Sequence, residues 1–70
     1  MNRHPDNFPE TVKEVRRRLG LSQEELAKAL GVSFATVNRW ENGKTVPSRL
    51  AQRQFEQFCV VQKKQGALTE

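Results

Sequence analysis

The chain has 70 residues, of which 36% are hydrophobic and 29% charged, and its net charge is +4. A chain of this length holds one domain with a small core, and its apolar content excludes disorder along its whole length. Its one cysteine, Cys59, excludes a disulfide framework and a cysteine-rich metal site. No long apolar run or signal-peptide pattern is visible, so we expect a soluble, cytoplasmic protein with no membrane segment. The positive charge favours polyanionic partners, although a charged surface that only maintains solubility is an equal alternative.

The first predicted element is a helix over residues 9–19, preceded by a polar segment, residues 1–7, that we interpret as a flexible arm. His4 in this arm is the only histidine and has no neighbouring ligands, so the sequence predicts no metal site. Pro9 suits the first position of a helix, and an apolar stripe follows it. Arg16 lies at the edge of that stripe, so it would need a carboxylate partner if it were partly buried.

The second predicted helix covers residues 22–30. Ser22 is a favourable N-cap, and Glu25 stands three residues later, where its carboxylate can accept from the Ser22 backbone N–H. Leu26 and Leu30 recur at the spacing of one apolar helix face. Gly31 then ends the helix at a position where a positive φ is favoured.

A third helix is predicted over residues 33–42, only two residues beyond that glycine. Ser33 is its N-cap, and Val37 and Trp40 point inward at i and i+3. Asn42 and Gly43 end it. Two capped helices joined by a tight turn that contains glycine are typical of a helix-turn-helix unit.

The last predicted helix covers residues 48–64, which contain no glycine or proline, and Ser48 caps it. Its apolar residues fall near one side, and we expect Cys59 to be a small buried hydrophobe rather than a reactive thiol. Residues 66–70 are predicted to be a frayed tail. The stripe comprises Leu50, Phe55, Phe58, Cys59 and Val61. The sequence therefore predicts a small all-α bundle.

The apolar stripe of the third helix accounts for its inner side only, and the residues on its outer side need a separate explanation. An exposed Phe34 beside Ala35 and Arg39 suits insertion into a major groove, where apolar groups contact thymine methyls and arginine pairs with guanine. Gln23, at the start of the preceding helix, would lie near the phosphates that a helix N-terminus attracts. The alternative is structural: Phe34 packs on the last helix and Arg39 pairs with a carboxylate.

The run LGLSQEELAKALGVSFATVNRWENGKTVPS closely resembles the DNA-binding domain of the phage repressor and Cro family, also named after the xenobiotic response element. The resemblance covers residues 12–50 and rests on Leu-x-Ser-Gln-x-Glu-Leu-Ala, Gly-Val-Ser and Trp-Glu-Asn-Gly-Lys in register. It implies a lambda-repressor-like bundle of four or five helices. Residues 22–30 would be the supporting helix and residues 33–42 the recognition helix.

The resemblance also implies a role for individual residues. The side chains expected at base edges are Phe34, Ala35, Thr36, Asn38 and Arg39, and those expected at the DNA backbone are Gln23, Ser33, Asn42, Lys44 and Thr45. Arg16 and Glu41 match a semi-buried structural ion pair, which would supply the partner that Arg16 needs.

Two departures from the family pattern affect these expectations. Several relatives carry polar residues at Phe34 and Ala35, so their base preferences do not transfer. The family usually divides its C-terminal region into two short helices, whereas this chain predicts one longer helix. Its exposed apolar residues, Phe55, Phe58 and Val61, would form a dimer contact.

We therefore expect a sequence-specific regulator of transcription that binds double-stranded DNA as a homodimer through its C-terminal helix. Two recognition helices would lie about 34 Å apart on a pseudo-palindromic site. The alternative is a protein-interaction module, or an antitoxin-like partner-binding protein, that uses the face of residues 55–61. No catalytic constellation, cofactor motif or small-molecule site is visible, so the sequence predicts no enzyme.

Overall fold

The computed structural model describes residues 8–45 and 47–68. These residues form four helices and no strand: α1 (Phe8–Leu19), α2 (Gln23–Leu30), α3 (Phe34–Asn42) and α4 (Arg49–Lys64). The predicted all-α fold is thereby confirmed. No helix within the described ranges has the length and apolarity needed to cross a membrane. The predicted arm with His4, and the last two residues of the predicted tail, lie outside the described residues.

Serine caps begin three of the helices. Ser22 Oγ accepts from the Glu25 N–H at 3.0 Å, and the Ser22 N–H donates to the Glu25 carboxylate at 2.8 Å, which completes a capping box. Ser33 and Ser48 accept from the backbone three residues on, each at 3.1 Å. These contacts satisfy N–H groups that have no partner inside a helix, so local chemistry fixes where each helix begins.

The turn between α2 and α3 depends on Gly31. Its φ of 76° lies in the left-handed region, which residues with a Cβ rarely adopt. Gly31 N donates to the Lys28 carbonyl, and Val32 N donates to the Ala27 carbonyl at 3.0 Å. These bonds end α2 and redirect the chain within three residues, so α3 packs across α2.

The core forms where the inner faces of all four helices meet. Its buried members are Val12, Leu26, Ala27, Leu30, Val37, Trp40 and Phe55. Phe8 packs edge-on against Trp40 and Phe55, with ring centroids 5.4 Å and 5.6 Å away. These aromatic contacts join α1, α3 and α4 at one end of the bundle, a geometry that aromatic pairs prefer.

Two expectations for the C-terminal region are wrong. Phe55 is only 2% exposed, so it belongs to the core and is not available for a dimer contact, whereas Leu50 is 73% exposed and lies off the inward side. Leu68 is 5% exposed, so the predicted frayed tail does not extend to this residue. Ala67 N and Leu68 N both donate to the Gln62 carbonyl, which turns the chain back after α4.

Candidate nucleic-acid interface

One side of α3 faces away from the core. At 3.6 residues per turn, five residues lie within an arc of about 140° on this side. They are Phe34, Ala35, Asn38, Arg39 and Asn42. The buried residues of α3, which are Val37, Trp40 and Glu41, all fall outside this arc. The predicted recognition helix therefore presents four of its five predicted base-contacting residues on one continuous surface.

Phe34 and Arg39 are both available at this surface. Phe34 is 52% exposed, so it does not pack into the core against α4. Arg39 is exposed and forms no ion pair with any carboxylate in residues 8–45 or 47–68. Within the described residues, the alternative in which Phe34 packs on the last helix and Arg39 pairs with a carboxylate is therefore not observed.

Thr36 lies outside this arc and is half-buried. Its hydroxyl is 2.8 Å from Ser33 Oγ, which also accepts from the Thr36 backbone N–H. Both hydroxyls are thus engaged at the first turn of α3. Thr36 therefore does not belong to the continuous surface formed by the other four predicted base-contacting residues.

Arg16 and Glu41 form the expected ion pair, which joins α1 to α3. Arg16 Nε donates to Glu41 Oε2 at 2.6 Å, and Arg16 Nη2 donates to Glu41 Oε1 at 3.0 Å. Arg16 Nη1 donates to the Leu21 carbonyl at 3.1 Å. Glu41 is 4% exposed and is the buried charged residue of the described chain. A bidentate pair of this kind fixes the relative orientation of two helices as well as neutralising the charge.

The environment of Glu41 lowers its pKa below the usual range. Burial acts in the opposite direction, because it disfavours the charged carboxylate. The hydrogen bonds from Arg16 and Gln23, together with the charges of Arg16 and Lys13, outweigh that effect. The pKa of Arg16 is raised, chiefly by its hydrogen bond to Glu41. The pair is therefore ionised at neutral pH.

A chain of side-chain amides leads from this ion pair to the outer surface. Gln23 Nε2 donates to Glu41 Oε1 at 2.9 Å, and Gln23 Oε1 accepts from Asn38 Nδ2 at 3.1 Å. Asn42 Nδ2 donates to Asn38 Oδ1 at 3.0 Å. Gln23, Asn38 and Asn42 thus form an amide chain that crosses from α2 to α3. Two predicted phosphate contacts lie at its ends, and a predicted base contact lies between them.

The turn after α3 presents two further predicted backbone contacts, Lys44 and Thr45. Both are exposed, and Lys44 N donates to the Arg39 carbonyl at 3.3 Å. Gly43 begins the turn with a φ of 68°, and a Cβ at this residue would lie 3.5 Å from the side chain of Pro9. The start of α1 therefore supports the turn that carries Lys44.

The amide chain was only partly visible in the sequence. Asn38 and Asn42 are four residues apart on one helix, a spacing at which amides can bond. The contacts of Gln23 with Asn38 and Glu41 join residues 15 and 18 positions apart, and no local pattern shows them. The bond from Gln54 Nε2 to the Leu30 carbonyl, which holds the end of α2 against α4, was also missed.

Comparison with known proteins identifies a family and several relatives of this chain. A family model described as helix-turn-helix matches residues 12–50, over half of the chain. The chain is 52% identical over 42 residues to the type II methyltransferase M1.ScrFI of Lactococcus lactis subsp. cremoris, a match that covers 56% of this chain and 11% of that protein. It is 48% identical over 46 residues to the type II methyltransferase M.SsoII of Shigella sonnei, with 61% and 12% covered.

A third relative is closer in size. The chain is 51% identical over 39 residues to YgzD of Bacillus subtilis (strain 168), described as an uncharacterized HTH-type transcriptional regulator. The match covers 56% of this chain and 59% of that protein, so the chain spans less than two thirds of each of these relatives. No solved structure matches the chain at a significant level. The family match, its position on α1 to α4 and the two capped helices lead to one conclusion: the chain belongs to the phage repressor and Cro (xenobiotic response element) family of helix-turn-helix domains.

Proposed function

We propose that the protein regulates transcription by binding a specific double-stranded DNA sequence, with α3 in the major groove. The observation that carries the proposal is the outer side of α3, which has the 52% exposed Phe34 at one edge and, at the other, Arg39, which forms no ion pair within the described residues. In the free protein the apolar ring of Phe34 is partly exposed to water, whereas in a major groove it would contact thymine methyls. The relative described as a transcriptional regulator supports the same assignment.

Arg39, Phe34 and Ala35 are the base-reading residues in this proposal. The guanidinium of Arg39 offers a planar pair of donors that matches O6 and N7 of guanine, and no carboxylate of the described chain competes for it. Ala35 lies about one turn before Arg39 on α3, and Phe34 lies about 1.4 turns before it, at the other edge of the outer side. Both offer only apolar contact, so they favour base pairs that carry a methyl group. Thr36 takes a position at the edge of the groove.

The phosphate contacts flank this reading surface. Gln23 is the first residue of α2, where the helix N-terminus attracts an anion, and Ser33 precedes the first turn of α3. Asn42, Lys44 and Thr45 follow at the far end of α3. Anchors at both ends of a recognition helix fix its register on the duplex, while the residues between them read sequence.

We also propose that two copies bind together through α4, on two half-sites about 34 Å apart. Support comes from the exposed apolar side of α4, where Leu50, Val60 and Val61 stay outside the core. These residues border a shallow groove that also includes Leu30 and Phe58. This surface replaces the one expected around Phe55. It is equally the surface that a protein partner would use if the chain were an interaction module.

Selection of bound sites from a random duplex library tests the proposal directly, because it reports the base preference and the half-site spacing together. We expect a short inverted repeat with half-site centres about 10 base pairs apart. A mobility-shift titration at low and moderate salt should show binding that weakens with salt. Absence of binding to any duplex at low salt would instead favour the interaction module.

A further inference from the structure

We propose that Asn38 is a positioning residue that couples the two phosphate anchors Gln23 and Asn42, and that it does not read a base. The inference rests on the proposed function and changes the role that the family resemblance implies for Asn38. It follows from the hydrogen-bonding groups that Asn38 commits to its neighbours.

The buried ion pair sets the direction of every bond in the amide chain. The Glu41 carboxylate is ionised and can only accept, so the group of Gln23 that faces it at 2.9 Å must be Nε2. Gln23 Oε1 then faces Asn38, where only Nδ2 can donate to it, at 3.1 Å. Asn38 Oδ1 is thereby turned toward Asn42, whose Nδ2 donates at 3.0 Å. The orientation of each amide is fixed by the one before it, back to Glu41.

This arrangement uses both kinds of group that Asn38 would need to read a base. An asparagine recognises adenine by donating one N–H to N7 and accepting from N6 with its carbonyl oxygen. In this protein the Asn38 carbonyl accepts from Asn42 and one of its two N–H groups donates to Gln23, so both ends of the amide are already held by neighbouring side chains, although one N–H and one carbonyl lone pair remain. Turning the amide toward a base would break both bonds and leave polar groups of two other residues without partners.

The same arrangement leaves one N–H on each end residue for DNA. An amide nitrogen carries two hydrogens, and Gln23 and Asn42 each use one of them within the described chain. Gln23 begins α2 and Asn42 ends α3, so these hydrogens belong to anchors at two ends of the reading surface. Asn38 orders both side chains before DNA arrives, and ordering in the free protein reduces the entropy lost on binding.

The test compares Asn38→Leu, which is close in size but has no hydrogen-bonding group, with Arg39→Ala at the next position. We expect Asn38→Leu to bind every duplex about three- to tenfold more weakly with unchanged base preference, because Gln23 and Asn42 would no longer be ordered in the free protein and would have to be ordered on binding. Arg39→Ala should change the preference at one base pair. Gln23→Leu and Asn42→Leu should show non-additive effects on binding in the native background and additive effects in the Asn38→Leu background.

A measurement without DNA tests the amide chain directly, and it remains informative even if Asn38→Leu folds poorly. In the free protein, Asn42→Leu should shift the side-chain amide resonances of Gln23, which lies on another helix, and leave those of Gln57 on α4 unchanged. Unshifted Gln23 resonances would show that the amide chain does not operate.

The remaining outcomes separate this inference from the proposed function. A wild-type protein that binds DNA, with an Asn38→Leu variant whose preference relaxes at one base pair, would make Asn38 a base reader and overturn the inference alone. Additive effects of the two anchors in both backgrounds would overturn it as well. A wild-type protein that binds no duplex would overturn the proposed function and, with it, this role for Asn38.

Discussion

Replacing Glu41 by glutamine removes the charge of one buried carboxylate and keeps its size. Arg16 would then face a neutral amide that cannot accept both of its hydrogen bonds, and Gln23 would lose a charged acceptor. Breaking one side of a fully buried ion pair costs about 3–5 kcal/mol. The Arg16 side chain is 23% exposed, so water partly solvates the orphaned guanidinium, and we expect a loss of about 2–4 kcal/mol.

A loss of this size is large for so small a domain. At roughly 0.05–0.15 kcal/mol per residue, the chain should have a free energy of unfolding of about 4–10 kcal/mol. In a domain of this length each kcal/mol shifts the Tm by about 4–8 °C, so Glu41→Gln should lower the Tm by about 10–30 °C. Thermal unfolding followed by far-ultraviolet circular dichroism measures this shift.

Glu14→Gln is a matched control for the same substitution. Glu14 accepts from Arg17 at 3.0 Å and from Arg18 at 2.9 Å, distances close to those of the buried pair, but all three side chains are exposed. Exposed ion pairs contribute little because water and salt screen them. We expect a small change in Tm for Glu14→Gln. Equal shifts for the two variants would refute the argument that burial gives the Arg16–Glu41 pair its importance.

The pH dependence gives an independent check. The folded pKa of Glu41 lies below its value in the unfolded chain, about 4.3, so the pair stabilises the protein fully above that value. This stabilisation is lost as the pH falls through the folded pKa. The difference in Tm between wild type and Glu41→Gln should therefore be constant near neutral pH and narrow in acid. A difference in Tm that stays constant below pH 4 would contradict the assignment of this stabilisation to the ionised Glu41 carboxylate.

Four further variants test the interface and the fold. Arg39→Ala should relax base preference at one pair and leave the rest of the selected site intact, measured by site selection. Lys44→Ala should weaken binding to all duplexes alike and reduce the salt slope by about one, measured by titration at several salt concentrations. Ser22→Ala should lower the free energy of unfolding by about 1 kcal/mol, since it removes a capping box, and chemical denaturation measures it. Val61→Glu should leave the Tm near wild type but shift the oligomeric state toward monomer in analytical ultracentrifugation, whereas an unchanged dimer would place the contact elsewhere.

The ends of the helices were readable from the sequence because their causes are local. Ser22, Ser33 and Ser48 each bond a backbone N–H three residues away, and Gly31 takes a conformation that its own lack of a Cβ permits. Such contacts depend on a few neighbouring residues, so residue type and spacing determine them. The same holds for the inward direction of Val37 and Trp40 on a short helix. The family resemblance added the partner of Arg16, which no spacing rule supplies.

The tertiary structure alone decided which residues on one helix side meet a neighbour. Leu50 and Phe55 lie at the two ends of an arc of about 140° on the apolar side of α4, and within that arc the structure buries Phe55 against Phe8 while Leu50 stays 73% exposed. Leu68 follows a glycine turn that reads as a frayed end, but the chain folds back there and buries it. Asn38 shows the same limit for polar groups. Its residue type and position on α3 fit base reading, and only the approach of Gln23 from α2 shows that its amide is already hydrogen-bonded to another helix. Periodicity specifies the direction of a side chain, whereas burial and hydrogen bonding depend on what other segments bring to that side.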